Sequence, residues 1–204
     1  MFYPNLRHEK KLQRQGFSAI AGLDEAGKGA WAGPIVAGAV ILNPKVKIKG
    51  IKDSKLLRAP QRQELFAEIT ASAIAWAAGI VSDKEIDKIG ITKANHLALI
   101  KALEKLNQPP DYLLIDALKI NYRNLPFLAK IDGDYKITSV AAASIIAKVT
   151  RDRLMEDFDE LYPQYGFKQH KGYGTSHHWQ MLMEHGICEI HRTSFEPMKH
   201  FLNE

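Results

Sequence analysis

The 204-residue chain has a single cysteine, Cys188, so it can form neither an internal disulfide nor a Cys-rich zinc site. It has no apolar run approaching the ~20 residues that cross a bilayer. Its opening, MFYPNLRHEKKLQRQGF, lacks the apolar core of a secretory signal. A cytoplasmic protein that does not enter membranes is expected. There is no internal repeat, low-complexity tract or linker, and the length suits one domain, or one domain with an appendage, better than two.

What is present is positive charge, unevenly placed. The net charge is +5, and residues 1–60 hold 11 Lys or Arg against 4 acids, whereas residues 61–160 hold 13 against 15. A basic first third favours a polyanionic partner, although many enzymes are mildly basic without one. The last segment is instead rich in histidine, with His170, His177, His178, His185, His191 and His200.

Apolar runs at Phe17–Leu23 and Ile35–Leu42 predict two strands joined by a glycine-rich loop. A helix is expected through LLRAPQRQELFAEITAS, with Pro60 in its first turn, followed by a strand in AIAWAAGIV. Ser82 is placed to cap a short helix and Thr92 a longer one, Lys93–Leu106. DYLLID and PFLAKID predict further short strands, Ile137–Leu161 a long helix, and Ser176–His185 a last helix ending at Gly186. Strands followed by alternating strands and helices argue an α/β layered domain on a mixed sheet.

The loop AGLDEAGKGAWAGP contains G-x-x-x-x-G-K, the outline of a P-loop. The next position is Gly29 rather than the Ser or Thr that would ligate Mg²⁺, and Asp24 and Glu25 would repel a bare triphosphate. Asp24, Asp116 and Asp134 each fall at or just past the C-terminal end of an apolar strand, the edge where open α/β sheets bind ligands. One such Asp is ordinary turn chemistry. Several converging, with Glu25 beside them, need a cation between them, and oxygen donors select Mg²⁺ or Mn²⁺. Such ions can activate water and stabilise the leaving oxygen of a phosphodiester.

In order along nearly the whole chain, GLDEAGKGAWAGPIVAGAVIL, KDSKLL, DYLLIDAL, GDYKITSVAAASIIAKVTRDR, YPQYGFKQHKGYGT and HRTSF resemble the ribonuclease HII family. The resemblance implies a ribonuclease H-like fold, a mixed five-stranded sheet flanked by helices. It further implies a catalytic domain over residues 1–160 with a small C-terminal helical segment, residues 161–204, packed on it. The implied activity is endonucleolytic cleavage of RNA in RNA/DNA hybrids and on the 5′ side of a ribonucleotide embedded in duplex DNA. Two metal ions, Mg²⁺ or Mn²⁺, would assist, leaving a 3′-hydroxyl and a 5′-phosphate, in the service of ribonucleotide and RNA-primer removal.

By the same resemblance Asp24, Glu25, Asp116 and Asp134 are the catalytic and metal-holding acids, and Asp132, which precedes the matching Gly-Asp, is left out. Gly27, Lys28 and Gly29 correspond to the ribose-sensing motif, with Lys28 where the family usually has Arg, and Tyr173 to its partner tyrosine. Ser54 and Lys55 of KDSKLL, with Lys52 and Arg58 nearby, fall near the substrate backbone. Ser144 and Lys148 correspond to a phosphate clamp on the long helix. Arg151 shares their face by spacing, though Arg151 and Asp152 also suit plain surface pairs.

Other readings stand beside this one: a nuclease of the same fold without ribose selectivity, and a hybrid-binding module without catalysis, against which the four acids argue. Cys188 and His191 match no closed zinc site, and a basic, partly titrating histidine tail touching nucleic acid is expected instead. Trp31, Trp76 and Trp179 are expected to pack rather than stack on bases. A monomer is expected, and no motif names a recruiting protein. Only about two dozen residues precede Asp24, which disfavours the sister family ribonuclease HIII with its added N-terminal domain.

Overall fold

A computed structural model describes residues 4–202. Its centre is one five-stranded sheet of order β3-β2-β1-β4-β5. The strands are β1 (Ile20–Ala26), β2 (Ile35–Ile41), β3 (Ala75–Val81), β4 (Tyr112–Asp116) and β5 (Phe127–Lys130). β1, β2 and β3 run antiparallel in sequence, whereas β4 pairs parallel with β1 and β5 parallel with β4, giving the expected mixed sheet. The helices are α1 (Arg7–Arg14), α2 (Ala59–Ser72), α3 (Asp83–Ile89), α4 (Ile91–Glu104), α5 (Gly133–Lys136), α6 (Thr138–Leu161), α7 (Phe167–His170), α8 (Ser176–His185) and α9 (Glu196–Lys199).

Side chains alternate across a strand, so the sheet builds two cores. Ala21, Leu23, Ile35, Ala37, Leu113 and Ile115 face α4, whose Ala94, Ala98, Leu99 and Ala102 are fully buried against them. The other face receives α6 at close range. A Cβ on Gly22 would lie 2.1 Å from the Ser139 carbonyl carbon, and one on Gly38 would lie 2.2 Å from the Ala143 oxygen. Small residues on both sides, Gly22 and Gly38 in the sheet and Ala141–Ala143 on the helix, therefore set the distance of α6 from β1 and β2.

Local signals explain most boundaries. Ser82 and Glu85 form a reciprocal capping box at the start of α3, with bonds of 3.2 and 3.1 Å. Pro60 lies in the first turn of α2 and Gly186 ends α8 with a φ of +70°. Thr92 does not cap α4. The helix begins at Ile91, because Gly90, at φ +80°, is at once the last residue of α3's turn and the entry to α4. β1 begins at Ile20 rather than Phe17, since the N–H groups of Ser18 and Ala19 go to the Asp111 carboxylate instead of a neighbouring strand. α1, with only Glu9 and Leu12 buried, was not expected from its largely polar pattern. Among the described residues no helix is long and apolar enough to cross a membrane.

Candidate active site

The parallel register pairs Leu23 with Ile115, so Asp24 and Asp116 follow side by side at the carboxyl ends of the two central strands. Asp24 continues the row of Ile20 and Gly22 and points to the α6 face, whereas Glu25 points to the α4 face. Asp134 arrives from α5. Its position depends on Asp116, whose Oδ1 accepts the Gly133 N–H at 2.8 Å. Asp24 and Asp134 are buried, and Glu25 and Asp116 are half-buried. Asp132, next in sequence, turns outward at φ +56° and pairs with Lys136 at 3.2 Å.

The four acids disturb one another as like charges should. Burial, then the charges of Glu25, Asp134 and Asp116, hold the Asp24 carboxyl well above the usual range. Burial, with Asp53 and Asp116, pushes Asp134 up to about 6. Glu25 is raised chiefly by burial and by Asp116, against the opposing pull of Lys28, Asn95 and Lys55. Lys55 is raised in turn, because Asp53, Asp134 and Asp24 outweigh its burial.

Among the described residues no three His, Cys, Asp or Glu side chains are gathered closely enough to close on a metal ion as they stand. The donor set nevertheless fits a hard divalent cation. It is all oxygen, and its raised affinity for protons is the repulsion that a cation would relieve.

The glycine loop after β1 has two different glycines. Gly27, at φ +92°, lies on the buried Arg151, and a Cβ there would come within 2.0 Å of its Nε. Gly29 has no such backbone need, and a Cβ there would meet nothing within 4 Å. Lys28 is exposed, and its carbonyl accepts from Arg192 Nη1 at 3.2 Å.

Tyr173, half-buried, comes to this loop from the C-terminal segment. The Trp31 N–H donates to the Gly172 carbonyl at 2.8 Å, the Gly33 N–H to Ile190 at 2.8 Å and the Arg192 N–H to Trp31 at 2.8 Å. Its ring faces the Lys148 ammonium at 5.6 Å and the Arg151 guanidinium at 5.2 Å from the centroid. Asp87 on α3 holds Thr193 and Ser194 through both backbone and hydroxyl groups, which seats Arg192 beside the loop.

The remaining expected residues lie on the α6 side. Ser144 is buried, with its hydroxyl donating to Ala141 at 2.9 Å and accepting the Ser54 N–H at 3.3 Å. It thus places Ser54 and the exposed Lys55 rather than presenting a free hydroxyl. Lys148 is paired with Asp152 at 2.7 Å.

Two sequence expectations are overturned. Arg151 is no surface residue: it is fully buried and donates to the carbonyls of Pro34, Lys171 and Ala32 at 2.9, 2.8 and 3.1 Å. Those bonds bridge the glycine loop to the tyrosine loop, a tertiary use that spacing on one helix cannot disclose. The C-terminal histidines are not uniformly a basic tail either. His170, His178 and His191 are buried, and burial pushes their pKa values down, His178 to about 3 and His191 to about 4.

Sequence reasoning also passed over Asp53. It is 1% exposed, its Oδ1 accepts the Lys55 N–H at 2.9 Å, and its charge raises Asp134. Its place in KDSKLL, between basic residues, was the available signal. Trp76 packs edge-on against Phe66 and Trp31 against Trp179, as expected of packing aromatics.

A mixed β3-β2-β1-β4-β5 sheet flanked by helices, with carboxylates at the ends of its adjacent central strands, is the layout of a ribonuclease H-like enzyme. The family model described as Ribonuclease HII matches residues 21–198. A ribonuclease HII of Dehalococcoides mccartyi is 47% identical over 199 residues, covering 96% of this chain and 94% of the relative. One of Acetivibrio thermocellus is 49% identical over 188 residues, covering 92% and 73%. The ribonuclease H2 of Pyrococcus horikoshii superposes with a TM-score of 0.79 at 28% identity, covering 91% of this chain and 98% of that one. The Archaeoglobus fulgidus ribonuclease HII, solved in complex with PCNA, gives 0.72 at 26% identity over 88% and 96%. This chain belongs to the ribonuclease HII family and is a ribonuclease.

Proposed function

We propose that the chain is a metal-dependent endoribonuclease that cuts the RNA strand of RNA/DNA hybrids and the 5′ side of a ribonucleotide embedded in duplex DNA. The observation that carries this reading is the meeting of four mutually repelling acids with a glycine loop that is open at Gly29. Asp24, Glu25, Asp116 and Asp134 would hold Mg²⁺ or Mn²⁺. When bound, such ions activate water and stabilise the leaving oxygen of a phosphodiester, giving a 3′-hydroxyl and a 5′-phosphate.

The protein's own share is placement. Gly27, Lys28 and Gly29 offer main-chain groups to the 2′-hydroxyl, which is both donor and acceptor, and this is how RNA is told from DNA. Gly29 admits that approach because nothing of the protein fills the space where its Cβ would be. Tyr173 closes the site from the other side and packs its ring on the sugar. Lys55, with Ser54 placed by Ser144, and Lys148 meet the backbone phosphates, contacts that position without reading sequence. In this reading residues 1–160 form the catalytic domain and residues 161–204 a helical segment that completes its substrate site. Removal of ribonucleotides and RNA primers from DNA is the cellular task such selectivity serves.

The test is cleavage of a DNA duplex carrying one ribonucleotide, beside an all-DNA control, with and without added Mg²⁺ or Mn²⁺. Metal-dependent cutting at the 5′ side of the ribonucleotide alone is expected. Equal cutting of the all-DNA duplex, or full activity in chelator, would overturn the reading.

A further inference from the structure

Beneath Tyr173 lie three buried histidines that none of these steps uses: His170, His178 and His191. Their tautomers follow from main-chain groups whose roles are not free, since an N–H can only donate and a carbonyl can only accept. His191 Nδ1 lies 2.8 Å from the Cys188 N–H, 3.1 Å from its Sγ and 3.3 Å from its carbonyl. The shortest contact, with the N–H donating, leaves that nitrogen bare and the His191 proton on Nε2, the one arrangement that lets His178 keep a proton for the Tyr173 carbonyl. His191 Nε2 lies 3.0 Å from His178 Nε2 and donates to it, which leaves the His178 proton on Nδ1. That proton is directed at the Tyr173 carbonyl, 3.0 Å away.

His170 obeys the same logic. Its Nδ1 accepts the Gly172 N–H at 3.1 Å, and its Nε2 therefore donates to the Tyr165 carbonyl at 2.8 Å. The His170 and His178 rings stack with centroids 4.3 Å apart. All six ring nitrogens are thus satisfied with all three rings neutral, and reversing one tautomer would set two donors, or two bare nitrogens, against each other. Neutrality agrees with the downward pull of burial on each ring.

A buried imidazole costs stability unless it is hydrogen-bonded, and apolar side chains such as those of Phe167 and Leu182 fill the rest of this core. What the histidines add is two bonds to one loop, at the Gly172 N–H and the Tyr173 carbonyl. We infer that His170, His178 and His191 are positioning residues, a relay of neutral imidazoles that fixes the main chain at Gly172 and Tyr173 and so aims the Tyr173 ring at the ribose. The inference rests on the reading of Tyr173 as the ribose-facing residue given under Proposed function.

Two substitutions at one position separate the bonds. His178→Asn places an amide N–H where Nδ1 was and keeps the bond to Tyr173, whereas His178→Gln reaches His191 and loses Tyr173. On a one-ribonucleotide duplex, His178→Gln is expected to lower kcat about tenfold and His178→Asn to stay within about threefold. In a Tyr173→Ala background, His178→Gln should cost nothing further, because the group it positions is gone. Independently of activity, nitrogen-detected histidine spectra of the unmodified protein near neutral pH should show protons on His170 Nε2, His178 Nδ1 and His191 Nε2. Other tautomers, or His178→Gln slowing the Tyr173→Ala enzyme as much as the parent, would overturn the proposal. A normal rate in Tyr173→Ala alone would overturn it through the reading beneath it, and the spectra tell that failure apart from a failure of the relay.

Discussion

Asp116 Oδ1 accepts the Gly133 N–H at 2.8 Å, so the strand end that carries one acid fixes the turn that delivers another, Asp134. Asparagine can make the same bond without the charge. Asp116→Asn should therefore abolish cleavage while holding thermal stability near the parent. Asp116→Ala should abolish cleavage and also cost about 1–2 kcal/mol, the usual loss for an orphaned N–H. Denaturant melts beside single-turnover rates check both, and an active Asp116→Asn enzyme would remove Asp116 from the site.

Asp24→Asn and Asp134→Asn should each lower turnover at least about a hundredfold while leaving hybrid affinity within several-fold, because affinity rests on Lys and Arg contacts to phosphate. Filter binding in Ca²⁺ alongside cleavage in Mg²⁺ makes the comparison. Asp134→Asn should also raise the melting temperature of the metal-free protein at neutral pH, since Asp134, pushed up to about 6, is charged there and repelled by Asp53 and Asp116.

Asp134 and Asp24 should lower metal-free stability as pH rises from about 4 to about 6. This contribution is opposite in sign to that of His178 and His191, which are pushed down to about 3 and about 4 when folded and are protonated when unfolded through this window. Asp134 is raised to about 6 from 3.8, and Asp24 well above 3.8, so in that window these two acids bind more protons in the folded state than in the unfolded one. The slope of unfolding free energy with pH then has a negative contribution from these groups, and a divalent ion, which favours the ionised acids, should reverse it. Urea melts of the parent and of Asp134→Asn across this range, with and without Mn²⁺, isolate the acid's share: without metal, stability should rise more with pH in the variant than in the parent.

The two loop glycines should part company. Gly27→Ala puts a Cβ within 2.0 Å of Arg151 at φ +92° and should cost more than about 1 kcal/mol of stability. Gly29→Val, in open space, should leave stability within about 1 kcal/mol and yet sharply reduce cleavage at a single ribonucleotide. Lys28→Ala should be milder than either, as the main chain there is held by Arg192. Melting curves and initial rates on the same preparations decide the matter.

Hybrid binding should weaken steeply with salt, because each neutralised phosphate releases counterions. Lys52→Ala and Lys55→Ala should each flatten the logarithmic slope by up to about one unit. Lys148→Ala should flatten it less, since Asp152 already pairs with that ammonium at 2.7 Å. An affinity indifferent to salt would place the binding surface away from the basic first third.

The period of the apolar runs, the caps at Ser82, Pro60 and Gly186, and the acids at strand ends were readable in sequence because each depends on neighbours a few residues away. They sufficed for a mixed α/β sheet with Asp24, Asp116 and Asp134 at one edge. What sequence left open required residues distant along the chain to meet. Arg151 lies on a helix face that reads as surface, and it is buried because the loops carrying Ala32, Pro34 and Lys171 fold over it with three carbonyls to satisfy. The six C-terminal histidines are alike in sequence. Only packing divides them, enclosing His170, His178 and His191, where a proton is costly, and leaving His177, His185 and His200 in water. Asp53 was likewise legible as part of a basic loop and not as a carboxylate against Asp134, because one-dimensional spacing carries no information on which charges a fold will press together.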